Sequence, residues 1–171
     1  MTPHRRAALY FLGCLAVTAV VSPSLSFDAP PRSVMGCLLL EVVAYGVIWP
    51  LGTFTLDRPR TWVSPAFGLV WGVCEGLLLL SLAVAIGNPW IAFVVLSVFQ
   101  GAWHAAYWDR FVAPEHNDPS WNLPKVLLCH VPNLAVTLAF LEAYGAGGWF
   151  VVFQTTSLVL SASAMRFPRP A

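Results

Sequence analysis

VSPAFGLVWGVCEGLLLLSLAVAI, residues 63–86, is the stretch of this sequence that decides its fold. It carries one acidic side chain, Glu75, and no basic one. At ~1.5 Å of rise per residue, a helix of this length exceeds the ~30 Å hydrocarbon core of a bilayer. Asp57-Arg58-Pro59-Arg60 precedes the stretch and Gly87-Asn88-Pro89 follows it, and both are sequences that end an apolar helix. The stretch therefore predicts a transmembrane helix.

Further apolar stretches lie on both sides of this one. The predicted spans are 7–21, 34–56, 63–86, 89–111, 123–144 and 149–165. The whole chain of 171 residues is 58% hydrophobic and only 10% charged, whereas a soluble domain carries about 25% charged residues. The segments do not alternate polar and apolar residues as membrane β-strands do. We therefore predict one domain, residues 1–171, that is an all-α polytopic transmembrane helix bundle of six spans.

The basic residues predict the orientation of this bundle. With six spans and the N-terminus inside, the cytoplasmic side holds eight of the nine Lys and Arg residues, and the outer side holds only Arg32. This asymmetry follows the positive-inside rule and places both ends of the chain in the cytoplasm. An alternative applies to the first span, because His4-Arg5-Arg6, an apolar run and Ser24-Leu25-Ser26 also fit a cleaved signal peptide.

The composition limits the classes of molecule that the chain is predicted to bind. No basic run or motif indicates nucleic acid, and the predicted partners are the lipid bilayer and a membrane lipid or hydrophobic small molecule; a homo-oligomer stays open. The histidines match no metal motif, so neither a metal nor a cofactor is predicted. No two cysteines form a C-x-x-C pair, which predicts small buried side chains rather than disulfides. The cysteines are Cys14, Cys37, Cys74 and Cys129.

Five polar side chains within the predicted spans are the candidate functional residues. Measured from the outer end of each span, Glu75 and Asn133 lie ~16 Å deep, His104 and His130 ~22 Å deep, and Glu41 ~10 Å deep. Ionisable groups at such depths are costly and usually face the bundle interior. No Lys or Arg lies within the core of a span, since Arg110 and Lys125 lie near span ends. Glu41 and Glu75 therefore lack a basic partner at their depth, so they are predicted to handle protons and are the candidate catalytic residues.

Small and polar residues also recur at helical spacing. Gly68, Gly72 and Gly76 are four residues apart, which predicts close approach of a neighbouring helix. Polar stripes occupy three later spans, and they fit either a ligand site or ordinary hydrogen bonds between helices. The stripes are Ser97, Gln100 and His104, then His130, Asn133 and Thr137, then Gln154, Ser157 and Ser161. The candidate ligand-binding residues are Gln100, His104, Tyr107, His130 and Asn133.

The order of these residues resembles the EXPERA superfamily, which includes the emopamil-binding protein, a sterol isomerase. Successive spans carry Glu41 and Glu75, and the next span reads Pro89, Ser97-Val98-Phe99-Gln100 and Tyr107, with Glu115-His116 in the following loop. Asn133 lies where the isomerase has a pocket asparagine, whereas Cys37 replaces its histidine. The resemblance covers roughly residues 34–144. It implies a bundle around an acidic, lipid-accessible pocket, in which the carboxyls exchange protons with a lipid or sterol-like substrate.

Other functions remain open at the level of sequence, and catalysis itself is undecided. The intramembrane glutamate proteases of the CAAX type resemble this chain less, because Gly76 rather than a second glutamate follows Glu75. A small proton-coupled transporter would use the same acids as a relay, but no inverted repeat is visible. A non-catalytic membrane scaffold subunit would need no inward-facing acids.

Overall fold

The computed structural model describes residues 3–28, 36, 39–40, 42–43, 62–103 and 147–163. In this part of the chain the structure is all-α, as predicted, and contains four helices. They are α1 (Pro3–Val21), α2 (Val63–Ile86), α3 (Pro89–Trp103) and α4 (Gly148–Ser163). The only β pairing among these residues is an isolated parallel bridge between Ser26 and Gly147.

Helix α2 is the centre of the described structure, because α1, α3 and α4 each pack against it. The larger apolar core lies between α2, α3 and α4, and its members are Leu79, Leu80, Ala83, Ala92, Leu96, Phe150 and Phe153. A smaller cluster of Cys14, Cys74 and Leu78 joins α1 to α2. Helix α2 has neighbours on three sides and exposes apolar side chains such as Leu69 and Val70 on the rest of its surface, which fits the uniform hydrophobicity of residues 63–86.

The glycine stripe of α2 lies against α4, which confirms the predicted close approach. A Cβ added at Gly68 would lie 2.6 Å from the Leu158 carbonyl oxygen, and one added at Gly72 would lie 3.1 Å from the Thr155 carbonyl oxygen. Backbone atoms of α4 therefore occupy the space that larger side chains would fill on α2. This interlock of α2 and α4 depends on the absence of side chains at the glycine positions.

The turn between α2 and α3 follows the expected chemistry of Gly87-Asn88-Pro89. Gly87 has a φ of 72° and donates its N–H to the Ala83 carbonyl, which ends α2 in the left-handed conformation that glycine adopts without strain. The Asn88 Oδ1 accepts hydrogen bonds from the Trp90 and Ile91 amides at 3.0 and 3.1 Å. Asn88 thus caps α3, and Pro89 occupies its first turn, as predicted.

The segment after α1 is tied to the start of α4. The Gly148 amide donates to the Ser26 carbonyl at 2.7 Å, and the Phe27 ring lies directly over Gly148. Phe27 also meets the Trp149 ring edge-on, with 6.0 Å between centroids. These contacts join the first and last described helices at one end of the bundle.

Helices α2, α3 and α4 begin within one residue of the predicted spans, whereas α1 begins at Pro3, four residues before its predicted span. Helix α2 matches the predicted 63–86 span, and within the described residues it is the one helix long and apolar enough to cross a membrane by length and composition. A core helix of a soluble protein can meet the same test, so α2 alone is weak evidence of membrane association. The predicted spans 34–56 and 123–144 lie largely or wholly outside the described residues.

Candidate functional site

Glu75 is the candidate site residue that the structure describes most fully. It lies in the middle of α2, next to the glycine face, and its side chain is 1% exposed. Its carboxyl points between α1 and α3 rather than toward α4. A carboxyl at such a position requires hydrogen-bond donors, because burial removes the water that would otherwise solvate it.

Three side chains supply these donors. The Tyr10 hydroxyl donates to Glu75 Oε2 at 3.2 Å, and the Trp71 indole Nε1 donates to the same oxygen. The Gln100 Nε2 donates to Glu75 Oε1 at 2.8 Å. Trp71 precedes Glu75 by four residues on α2 and so lies on the same helical face. Since Tyr10 belongs to α1 and Gln100 to α3, the carboxyl joins three helices through neutral partners.

An aromatic wall surrounds this carboxyl. The Tyr10 ring stacks on Trp103 with 4.5 Å between centroids, and Trp103 stacks on Phe99 at 6.2 Å. On the other side the Phe67 ring lies 6.1 Å from Trp71, which is fully buried. Apolar surroundings lower the local dielectric and so strengthen each hydrogen bond to Glu75. They also keep competing water away from the carboxyl.

Two cysteines lie beside the site. Cys14 and Cys74 are free and buried, which confirms the prediction for the two cysteines that the structure describes. In that same part of the chain, no group of three or more His, Cys, Asp or Glu side chains is arranged to hold a metal ion. Among the described residues, the site consists of the Glu75 carboxyl and the side chains that donate hydrogen bonds to it.

Two polar atoms on α3, one of them in the residue that hydrogen-bonds Glu75, are buried without a hydrogen-bond partner among the described residues. They are Gln100 Oε1 and Ser97 Oγ. Ser97 and Gln100 are three residues apart and share one face of α3. On α4 the predicted stripe is also buried, and there the Ser157 and Ser161 hydroxyls have no partner among the described residues either.

The structure brings together two of the predicted site residues, Glu75 and Gln100, by direct hydrogen bonding. Their predicted catalytic and ligand-binding roles stay predictions. The other candidates lie outside the described residues, so their convergence with Glu75 also stays a prediction: Glu41, His104, Tyr107, His130 and Asn133.

Two partners of Glu75 were not predicted from the sequence. Trp71 carries a usable signal, because its spacing of four residues from Glu75 places both on one helical face. Tyr10 carries none, because it is 65 positions away and an aromatic residue near a span end resembles an interface anchor.

No protein-family model, curated protein or solved structure matches this chain. The resemblance to the EXPERA superfamily therefore rests on the residues alone.

Proposed function

We propose that this chain is a multi-pass integral membrane protein in which Glu75 binds the polar group of a ligand dissolved in the bilayer. The ligand is a membrane lipid or a hydrophobic small molecule. The observation that carries this proposal is a buried carboxyl with neutral partners inside a bundle whose outer surface is apolar. The six-span topology with both ends in the cytoplasm is part of the same proposal.

The outer faces of the bundle are rich in large apolar side chains, and several polar side chains lie in its interior beside the apolar core. Large apolar side chains are exposed on α1, α2 and α3, whereas Glu75, Gln100 and Gln154 are buried. Water would favour polar outer faces and an apolar interior. Lipid matches the apolar exterior, and polar side chains then hydrogen-bond between helices. The exposed set on α3 is Trp90, Ile91, Val94, Val95 and Val98.

The position of Glu75 along α2 supports a site deep in the membrane. Helix α2 has 24 residues, which corresponds to a length of ~36 Å. Glu75 lies near its middle, ~18 Å from the start. Exposed tryptophans mark both ends, with Trp62 before α2 and Trp90 at the beginning of α3. Tryptophan favours the membrane–water interface, so this pair supports a bilayer whose midplane lies near Glu75.

The chemistry of the carboxyl supports ligand binding. The partners of Glu75 in the described part of the chain are Tyr10, Trp71 and Gln100, and none of them is a cation. A carboxyl in such a place gains from a proton or from a ligand group that donates hydrogen bonds or carries positive charge. A proton-transfer reaction of the EXPERA type would use Glu75 and Glu41 together, and it belongs to the same proposal.

A structural role is the second candidate function, and one observation favours it. Glu75 is 1% exposed and receives donors from three helices, so its network alone could fix how α1, α2 and α3 pack. In that case the chain is a scaffold subunit. The two candidates differ in what happens when Glu75 is replaced and an amphiphile is added.

The test is ligand-induced thermal stabilisation of the full chain in detergent, with dodecylamine as the probe. We expect dodecylamine to raise the melting temperature of the wild type and of the control variant Glu142→Gln. Glu142 lies two residues before the end of the predicted span 123–144, which places it near the outer interface. Glu75→Gln should fold and lose that response, because the amide no longer attracts a cation. A wild type that does not respond, together with a Glu75→Gln variant of lowered stability, would support the scaffold function and contradict ligand binding.

A further inference from the structure

The oxygen of the Gln100 amide is a polar atom of the site to which no role has been assigned. Gln100 is 2% exposed, and its Nε2 donates to Glu75 Oε1 at 2.8 Å. This hydrogen bond fixes which end of the amide faces the carboxyl, since the amide nitrogen donates hydrogen bonds and the amide oxygen only accepts them. The Oε1 atom therefore points away from Glu75, and it is buried without a partner among the described residues.

Ser97, on the same face of α3, carries a second buried polar atom of this kind. It lies three residues before Gln100, and its buried Oγ also lacks a partner in the described part of the chain. An amide oxygen can only accept a hydrogen bond, whereas a serine hydroxyl can accept or donate. Buried acceptors without partners are uncommon in folded proteins and cost free energy. Two acceptor atoms that have no partner among the described residues, on adjacent turns of one helix face, indicate a binding site for a hydrogen-bond donor.

We propose that Gln100 Oε1 and Ser97 Oγ form a subsite for one hydrogen-bond donor of the ligand, next to Glu75. This inference rests on the proposed function, because it names the chemistry of the ligand held at the same site. The donor is a hydroxyl or an ammonium N–H; a bound water is the other source of the same chemistry.

The subsite makes the site prefer ligand groups that donate hydrogen bonds. An ionised carboxyl and an amide oxygen only accept hydrogen bonds, so a ligand group that also only accepts them is left with the Ser97 hydroxyl as the one donor of the subsite. Ethers, esters and ketones are in that class. Ser97 is partly exposed and is followed by the exposed Val98, so the subsite lies between the buried carboxyl and the apolar outer face of α3. The alkyl tail of a ligand would extend toward that face.

The experiment compares two probes that differ in a single donor. Dodecanol and dodecyl methyl ether share a tail and an acceptor oxygen, but only the alcohol donates. The full chain in detergent is titrated with each probe, and the half-saturating concentration is read from thermal stabilisation. We expect the wild type to bind the alcohol about tenfold more tightly, as one added hydrogen bond predicts.

Three variants locate the donor contact. Gln100→Met keeps an unbranched side chain of similar length but removes the acceptor, and it should abolish the preference for the alcohol. Ser97→Ala leaves every hydrogen bond of Glu75 in place, so it reads the subsite even if the first variant folds poorly, and it should reduce the preference severalfold. Thr156→Val changes an exposed hydroxyl on α4 and should leave the preference unchanged.

The outcomes separate this inference from the proposed function. Equal binding of both probes by the wild type, lost in Glu75→Gln, would overturn the donor subsite, leave the ligand site standing and assign the place to water. A preference that survives both Gln100→Met and Ser97→Ala would also overturn the subsite. Binding of neither probe would overturn this inference, whereas the proposed function would fall only if dodecylamine also failed to stabilise the wild type.

Discussion

Replacing the glycines of α2 by alanine should weaken the bundle in the order set by their distance from α4. An added Cβ at Gly68 would lie 2.6 Å from the Leu158 carbonyl oxygen, 2.7 Å from the Val159 Cα and 2.8 Å from the Ala162 Cβ. Carbon atoms in ordinary contact are about 3.5–4.0 Å apart, so α4 must move by roughly 1 Å. Two of these three neighbours are backbone atoms, which cannot rotate away.

The loss of unfolding free energy in Gly68→Ala combines the cost of overpacking with the higher helix propensity of alanine, and a matched control separates the two. Forcing a methyl group into such an interface costs about 1–3 kcal/mol. Alanine also favours a helix over glycine by about 1 kcal/mol, which partly hides that cost. Gly13 on α1 has no atom within 4 Å of an added Cβ, so Gly13→Ala measures the helix term alone. The difference in unfolding free energy between Gly68→Ala and Gly13→Ala should therefore be about 1–3 kcal/mol.

The assay is reversible unfolding of the full chain in mixed micelles, with the denaturing detergent varied and tryptophan fluorescence as the signal. Gly72→Ala should resemble Gly68→Ala, because a Cβ there meets the Thr155 backbone. Gly76→Ala should lie between Gly13→Ala and Gly68→Ala, because its nearest contacts are longer, at 3.3 Å to the Gln154 Cβ and 3.4 Å to the Val151 Cα. If all four variants unfold alike, α2 and α4 do not interlock through glycine.

Three further predictions concern orientation, the site and the first helix. Single cysteines introduced at Arg58 and Asn117 into a cysteine-free chain should label from the cytoplasmic side and one at Asn88 from outside; labelling of Asn117 from outside would contradict six spans. Tyr10→Phe keeps the ring but removes one donor to Glu75, so it should lower the unfolding free energy by about 1 kcal/mol, and an unchanged value would mean that this bond adds nothing. Because α1 supplies that donor, mass spectrometry of the protein purified from membranes should find α1 intact, whereas cleavage near Ser26 would make it a signal peptide.

The parts of the fold that depend on local sequence were predictable. The bounds of α2, the Gly87-Asn88-Pro89 turn and the contact of the glycine stripe with another helix all follow from hydropathy and conformational preference. Helix α1 differs, because it begins at Pro3, before the apolar run that starts at Ala7. Hydropathy marks where a chain is apolar, whereas backbone hydrogen bonding continues through polar residues such as Arg5.

The candidate site was predictable only in part. Burial of Glu75 and its approach to a neighbouring helix follow from the cost of a charge in an apolar stretch. Which helices face it does not, because pairing of helices depends on the tertiary structure. The glycine stripe indicates one close neighbour, α4, yet the donors to Glu75 come from α1 and α3.

The interlock of α2 and α4 has a consequence for how the chain is made. At a synthesis rate of about 5–20 residues per second, α2 leaves the ribosome several seconds before α4 does. During that interval the glycine face of α2 has no partner from its own chain. If the α4 helix of a neighbouring nascent copy packs against this face first, the product is a domain-swapped dimer rather than a monomer. Slow translation between α2 and α4 would lengthen this window, so the yield of monomer should depend on codon choice in that interval.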